Sequence, residues 1–317
     1  MKLNIIIEIA IFIIFLITVP VVMLVDRNIA LSSEANVNES AKAYLQKGDQ
    51  FYSQGRAKFN DASVQYWEAA KRDLNLAEAH FRLAEIYYEY LWNYETLNEL
   101  RELEKINPKY PRLYLLMGKI YNRMADINKA DEAFQRSLVL EPYNSEAHYY
   151  LGTIYQQRNA KEEAIKEYEK AVTFTTSSSD KESIVKSYLQ LGRIYKTDKD
   201  LARTVEMLKK ALSIEPGSVE VISELTGIYS QQAGIYKSEQ KFDEAAKIYE
   251  EIVKLDPNNP ETVEYYMELG NIYRSQELYD KAVAVYMEVT RLDPLNFDAF
   301  AALKELKMLK SNEGSNP

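Results

Sequence analysis

A five-residue phrase, apolar, small, any, Ile, Tyr, recurs at a fixed spacing and constrains the fold more than any other feature of the chain. It reads Leu83-Ala84-Glu85-Ile86-Tyr87, Met117-Gly118-Lys119-Ile120-Tyr121, Leu151-Gly152-Thr153-Ile154-Tyr155, Leu191-Gly192-Arg193-Ile194-Tyr195 and Leu269-Gly270-Asn271-Ile272-Tyr273. The small residues at 84, 118 and 152 stand 34 residues apart, and the next interval is 40, with a six-residue insertion in the Thr175 to Ser179 stretch. A variant, Leu225-Thr226-Gly227-Ile228-Tyr229, lies 34 residues beyond Gly192 and restores the register. Each unit closes on an apolar residue, a polar one and proline: Ile106-Asn107-Pro108, Leu140-Glu141-Pro142, Ile214-Glu215-Pro216, Leu255-Asp256-Pro257 and Leu292-Asp293-Pro294. Proline lacks an N–H and pushes its predecessor out of the α region, so each ends a helix. Between the phrases, Ala130, Ala164, Ala245 and Ala282 are followed four residues later by Phe134, Tyr168, Tyr249 and Tyr286, which places each pair on one helix face.

This pattern resembles the tetratricopeptide repeat, a 34-residue unit reading W-x2-L-G-x2-Y, then A-x3-F, then P. Tyr114, Met117, Gly118, Tyr121, Ala130, Phe134 and Pro142 carry one full copy. Tyr188, Leu191, Gly192, Tyr195, Leu208, Ala211 and Pro216 carry another, with Thr204 where alanine is expected. The resemblance implies an all-α fold, a right-handed superhelical solenoid of antiparallel helix pairs. It covers residues 41–296 as about seven repeats (41–76, 77–110, 111–144, 145–184, 185–218, 219–262 and 263–296), followed by a capping helix at 297–310 and a disordered tail at 311–317. Paired helices cross closely only where the crossing residue is small, while rings fill the space around it. Tyr87, Tyr121, Tyr155, Tyr195 and Tyr273 are therefore expected in the core, as are His80 and His148, which stand four residues before Ala84 and Gly152. Two units depart from the pattern. Gly234-Ile235-Tyr236 repeats the variant phrase seven residues on, which predicts one lengthened first helix, Val219 to Gln240, projecting beyond its neighbours. The first repeat is weak, with Lys47 at an apolar place and a second helix, bearing Trp67 and Ala70, that runs two residues late.

Ahead of the repeats, Leu3 to Val25 contains a single charged residue, Glu8. At about 1.5 Å per residue a helix over this stretch is roughly 34 Å long, enough to cross a hydrocarbon core of about 30 Å. The run is longer than a signal-peptide core, and no A-x-A-like cleavage site follows it closely. The expectation is a single-pass transmembrane helix within residues 1–27 that binds the lipid bilayer through residues 3–25, then a polar linker at 28–40. Glu8 either reaches the interface or pairs with a partner helix in the membrane. Lys2 and the α-amino group place the N-terminus inside and the repeats on the extracytoplasmic side, by the positive-inside rule.

The net charge of −9 argues against nucleic acid as a partner, since phosphate neutralisation needs a dominant basic surface. The chain has no cysteine, and neither a phosphate-binding loop, an H-E-x-x-H pair nor a nucleophile elbow occurs. No enzyme activity and no cofactor are expected. The resemblance implies instead a concave groove, lined by first helices, that receives a peptide or partner helix. Carried onto this chain it places Arg112, Lys119 and Arg123 on one first helix, and Lys186, Arg193 and Lys196 on another, with Tyr149, Gln156 and Gln157 between. Either these are solvated faces that happen to be basic, or they take an acidic segment or a C-terminal carboxylate of a partner protein. Two functions fit: a membrane-anchored scaffold or adaptor, or an accessory subunit of a membrane or envelope assembly or transport complex, with the span inside the complex.

Overall fold

The computed structural model describes residues 37–173 and 181–313. The predicted membrane span, with Glu8, and the six-residue insertion lie outside the described residues. Among those described, fifteen α-helices and no strand are found, and no helix is long and apolar enough to cross a membrane. In chain order the helices are α1 (37–52), α2 (Phe59–Arg72), α3 (Ala77–Glu89), α4 (Asn93–Ile106), α5 (Leu113–Arg123), α6 (Ile127–Leu140), α7 (Ser145–Gln157), α8 (Lys161–Thr173), α9 (Lys181–Thr197), α10 (Leu201–Ile214), α11 (Val219–Ser238), α12 (Phe242–Leu255), α13 (Val263–Ser275), α14 (Tyr279–Leu292) and α15 (Phe297–Glu313). They form two compact units, one ending at Ala147 and the other beginning at His148. Within each, successive helices pack on their chain neighbours. α4, α6, α10, α12 and α14 each stop two residues before the proline of their unit.

The pairing of helices rests on a close crossing. A Cβ added to Gly118 would lie 2.6 Å from the Phe134 ring, one on Gly152 would lie 2.6 Å from Tyr168, and one on Gly270 would lie 2.7 Å from Tyr286. In each case the ring stands sixteen residues after the glycine, on the second helix. Phe134, Tyr168 and Tyr286 are completely buried. The first repeat does the same at a separation of eighteen, Gly48 beneath Tyr66. Its two extra residues are taken up in the turn after α1, where Gly55 adopts φ +89°. In the fifth pair Leu208 replaces the ring and meets the Gly192 position less tightly, at 3.2 Å. Thr204, beside it, is buried, and its hydroxyl donates to the Asp200 carbonyl at 2.8 Å.

The wholly enclosed rings are thus those of the second helices, and the expectation for the phrase tyrosines needs correction. Tyr195 and Tyr273 are buried, but Tyr87, Tyr121 and Tyr155 are only half-buried. Their shared duty is in the backbone. The carbonyls of Tyr87, Tyr121, Tyr155, Tyr195, Tyr236 and Tyr273 accept the N–H groups of Trp92, Asp126, Ala160, Asp200, Lys241 and Leu278 at 2.8–3.0 Å. This is the six-to-one bond that closes a helix through a left-handed residue. That residue is never glycine here: Leu91, Ala125, Asn159, Lys199, Gln240 and Glu277 all have φ between 58° and 62°. Second helices then begin at once, and Asp126 and Asp200 cap two of them by accepting from the N–H groups of Lys129 and Arg203.

α11 is one unbroken helix of 20 residues, as expected, but its extra turns do not project. Val221, Leu225, Ile228, Tyr229 and Ala233 form a buried stripe at spacings of three and four that packs in one core with Leu208, Ala211 and Tyr249. The small residue of this pair is Ala233, sixteen residues before Tyr249, whereas Gly227 and Gly234 have open space where a Cβ would be. At the C-terminal end α15 buries Ala299, Ala302 and Leu306 and leaves Phe297 and Phe300 exposed. It runs to Glu313, three residues past the predicted end of the capping helix.

Both histidines are buried, and each meets a glutamate nineteen residues later on the second helix of its pair. His80 Nδ1 lies 2.7 Å from Glu99, and His148 Nδ1 lies 2.6 Å from Glu167, which also accepts from Lys170 at 2.7 Å. The Glu99 hydrogen bond raises His80 above the ordinary histidine value, against the opposing effect of burial. Burial alone would push Glu167 up, but the hydrogen bonds from His148 and Lys170 together hold it below the usual carboxylate value.

Two measurements test this packing. Gly118→Ala should destabilise by about 1–3 kcal/mol despite alanine's better helix propensity, because Phe134 cannot move aside. Gly234→Ala should stabilise by about 0.5–1 kcal/mol, because nothing opposes the new methyl. Equal signs in urea unfolding would contradict the crossing geometry. For His80, the folded state binds its proton more tightly than the unfolded one. The stabilisation is complete below about pH 6.5 and is lost as pH rises through the folded value. Glu99→Gln should therefore flatten the fall in unfolding midpoint above that pH.

Candidate protein-binding groove

The predicted groove residues divide between the two units: Arg112, Lys119 and Arg123 belong to the first, Tyr149, Gln156, Lys186, Arg193 and Lys196 to the second. Arg112 is not on a helix. It precedes Leu113 with φ 63°, donates to Glu85 at 3.2 Å and places its guanidinium 5.6 Å from the Phe81 ring. Lys119 pairs with Glu146 at 2.7 Å. Arg123 donates to the Tyr88 carbonyl at 3.2 Å, and its guanidinium lies 4.3 Å from the Tyr88 ring, with the Lys119 ammonium 5.2 Å from the same ring. Tyr88, absent from the predicted set, is thus the platform on which two of these cations rest.

In the second unit Arg193 donates to Glu220 at 2.8 Å and to Glu224 at 3.0 Å, and Lys196 donates to Glu224 at 3.2 Å. Burial would raise the Glu224 carboxyl, but the bonds from Arg193 and Lys196 hold it below the usual range. Lys186 pairs with Glu182 on its own helix. Gln156 accepts the Tyr168 hydroxyl at 2.9 Å, and the Tyr149 ring lies 6.1 Å from the same tyrosine, so both abut the core ring of their own repeat. Burial raises the Tyr149 phenol above its ordinary value.

Gln156 and Arg193 line one cleft of about 250 Å³, together with Asn159, Lys161 and Thr197. Lys186 lines a second of about 560 Å³, beside Glu182, Leu189, Glu215 and Glu220. Both clefts are open and carry mixed lining, so they can accept backbone and side chains of either sign but hold no preset anion site.

What reading the residues one repeat at a time missed is the acid supplied by the next repeat. Glu146 stands 27 residues after Lys119, and Glu220 stands 27 after Arg193. The same cross-repeat pairing joins Lys237 to Glu268 and Arg274 to Glu305, the latter at 3.1 Å. Lys119, Arg193 and Lys196 are thus ion-paired to the next repeat within their own units rather than bare, whereas Lys186 pairs on its own helix and Arg123 rests on Tyr88. Among the described residues no cluster of His, Asp and Glu is arranged to hold a metal ion.

Comparison with known proteins supports the repeat directly. Profiles of the tetratricopeptide repeat match residues 115–180, 185–218 and 224–294, more than half of the chain together. Among curated proteins, a BBSome complex member BBS4 homolog of Drosophila melanogaster is 24% identical over 162 residues, covering 49% of this chain and 33% of that protein. Anaphase-promoting complex subunit 3 of Dictyostelium discoideum is 31% identical over 67 residues, 21% of this chain and 7% of that one. The chain thus spans a third or less of the curated relatives it matches. Among solved structures, MamA is similar with a TM-score of 0.46 and 23% identity over 53% of this chain and 94% of that chain. The anaphase-promoting complex hetero-tetramer Cut9–Hcn1 gives a TM-score of 0.48 and 16% identity over 84% of this chain and 43% of that chain. With phrases, crossings and profiles all falling on the same helix pairs, the chain belongs to the tetratricopeptide-repeat family, whose repeats bind proteins and peptides.

Proposed function

We propose that the chain is a membrane-anchored scaffold that gathers partner proteins through the first-helix faces of its repeats, binding them without catalysis. The apolar stretch from Leu3 to Val25 supports the anchor, and the positive-inside rule favours repeats on the extracytoplasmic side. The observation that carries the binding reading is that, in the second unit, the ion pairs of Arg193 and Lys196 with Glu220 and Glu224 stand beside the two clefts. Partly exposed pairs of this kind are worth about 0–1 kcal/mol each, so an incoming carboxylate exchanges for Glu220 or Glu224 at little cost. An acidic segment or a C-terminal carboxylate is therefore the partner chemistry proposed for Arg193, Lys196 and Lys119.

A second reading, an accessory subunit of a membrane or envelope assembly or transport complex, is favoured by Glu8, a lone carboxyl in an apolar stretch. Two curated relatives are, by name, members of multiprotein complexes.

Affinity capture from solubilised membranes separates these readings. Arg193→Glu and Lys119→Glu should lose partners retained by the parent chain, and Glu224→Gln, which removes the acid that Arg193 and Lys196 share and leaves Arg193 only Glu220, should retain as much or more. Unchanged capture by both reversals would remove the groove from consideration. Glu8→Leu should leave capture intact if the repeats alone bind, and abolish it if the span is part of the complex.

A further inference from the structure

The chain has two tryptophans, Trp67 and Trp92, and the first unit leaves both about half exposed, at 49% and 50%. One strip of surface connects them. The Trp92 ring lies 5.3 Å from Tyr90, which is edge-on to Phe59 at 6.4 Å and donates its hydroxyl to Asn60 at 3.0 Å. From Asn60, the same face of α2 continues through Val64, Trp67 and Lys71, at spacings of four, three and four. Val64 is 56% exposed, and the Lys71 ammonium lies 4.8 Å from the Trp67 ring. Beside Trp92, Leu91 and Tyr94 are 67% and 73% exposed.

The repeat does not ask for apolar side chains there. Val64 and Trp67 flank the core ring Tyr66, two residues before it and one after. The matching residues are Asn98 and Arg101 around Leu100, Glu132 and Gln135 around Phe134, Lys166 and Glu169 around Tyr168, Glu206 and Lys209 around Leu208, and Lys247 and Glu250 around Tyr249; the pair around Tyr286, Ala284 and Met287, is apolar but carries no ring. Indole and phenol rings, apolar in body and polar at the tip, are the side chains that settle at the headgroup level of a bilayer. Charges at the margins largely cancel in pairs, Lys58 with Asp61 at 2.8 Å and Arg72 with Glu68. Partition of apolar surface, rather than attraction to anionic lipid, is thus the driving term.

The sequence places a bilayer within reach. Eleven residues, 26–36, separate the apolar stretch from the first described residue of α1, and an extended chain of that length spans at most about 40 Å. α1 itself is about 24 Å long. Tyr52 at its far end stacks on Phe59 at 4.9 Å, so the tether exceeds the distance between the start of the fold and the strip. A tether this short also raises the local concentration of the surface it faces.

We propose that the strip from Trp67 to Trp92 docks into the headgroup region of the bilayer that holds the chain, laying the first unit against the membrane. This rests on the anchor reading given above. Because no other tryptophan exists, indole fluorescence of the full chain in phosphatidylcholine vesicles reports this strip alone. The chain should float with the vesicles, with blue-shifted emission quenched by lipids brominated near the headgroup. Val64→Asp and Leu91→Asp, both exposed sites, should float equally well while losing the blue shift and the quenching. Flotation with red-shifted, unquenched emission in the parent chain would overturn the docking and leave the anchor standing. Failure to float would overturn the anchor and the docking with it. Emission shielded from aqueous acrylamide yet untouched by the brominated lipids would show a protein, not the bilayer, covering the strip.

Discussion

Everything in this chain depends on how closely two helices can cross. At Gly118, Gly152 and Gly270 the backbone of a first helix lies directly against an aromatic ring of the second, with no room for even a methyl group. That contact sets the distance between the helices, seals the ring from water and fixes the rotational setting of both. Once the pair is set, the chain has to reverse within a few residues, and the left-handed residues at 91, 125, 159, 199, 240 and 277 do this. A left-handed non-glycine residue costs about 1–2 kcal/mol. The phrase tyrosines offset that cost through their carbonyls, which hold the turn closed from the preceding helical turn.

The repeat is legible in the sequence because its period of 34 and its prolines are carried by single residue types at fixed places. Other features are carried by relations between residues, and these read less well. Gly227 and Gly234 look like crossing glycines, yet Ala233 takes that role, because what matters is the separation of sixteen from Tyr249. Val221 and Leu225 look like part of a protruding rod, yet the period of their stripe carries them into the core beside Leu208 and Ala211. Tyr87, Tyr121 and Tyr155 share a register with the buried Tyr195 and Tyr273, yet their rings are only half-buried; what all five have in common is the carbonyl that closes the turn.

The proposed binding surface is where a residue-by-residue reading misleads most. Lys119, Arg193 and Lys196 are basic as single residues, but their acids stand a repeat downstream, so the charge of the face is a property of neighbouring repeats together. Such pairs add little to stability. Their larger effect is to give these interfaces a polarity, cation on one first helix and acid on the next, opposite to that of Arg112 with Glu85. A partner that binds there enters an exchange of ion pairs rather than an attractive field, and a chain with net charge −9 keeps an acidic exterior while doing so.

The lengthened helix α11 follows from helical phase. Seven extra residues make almost two full turns, which leaves a residual rotation of only about 20°. The apolar faces before and after the added segment therefore look in nearly the same direction, and Val221 and Ala233 lie in one core. An insertion of three or five residues would swing the later half of the helix away from its partner. A repeat array can thus lengthen a first helix only in steps that preserve phase, so its segments behave less like elastic spacers than like gear teeth, added in whole numbers or not at all.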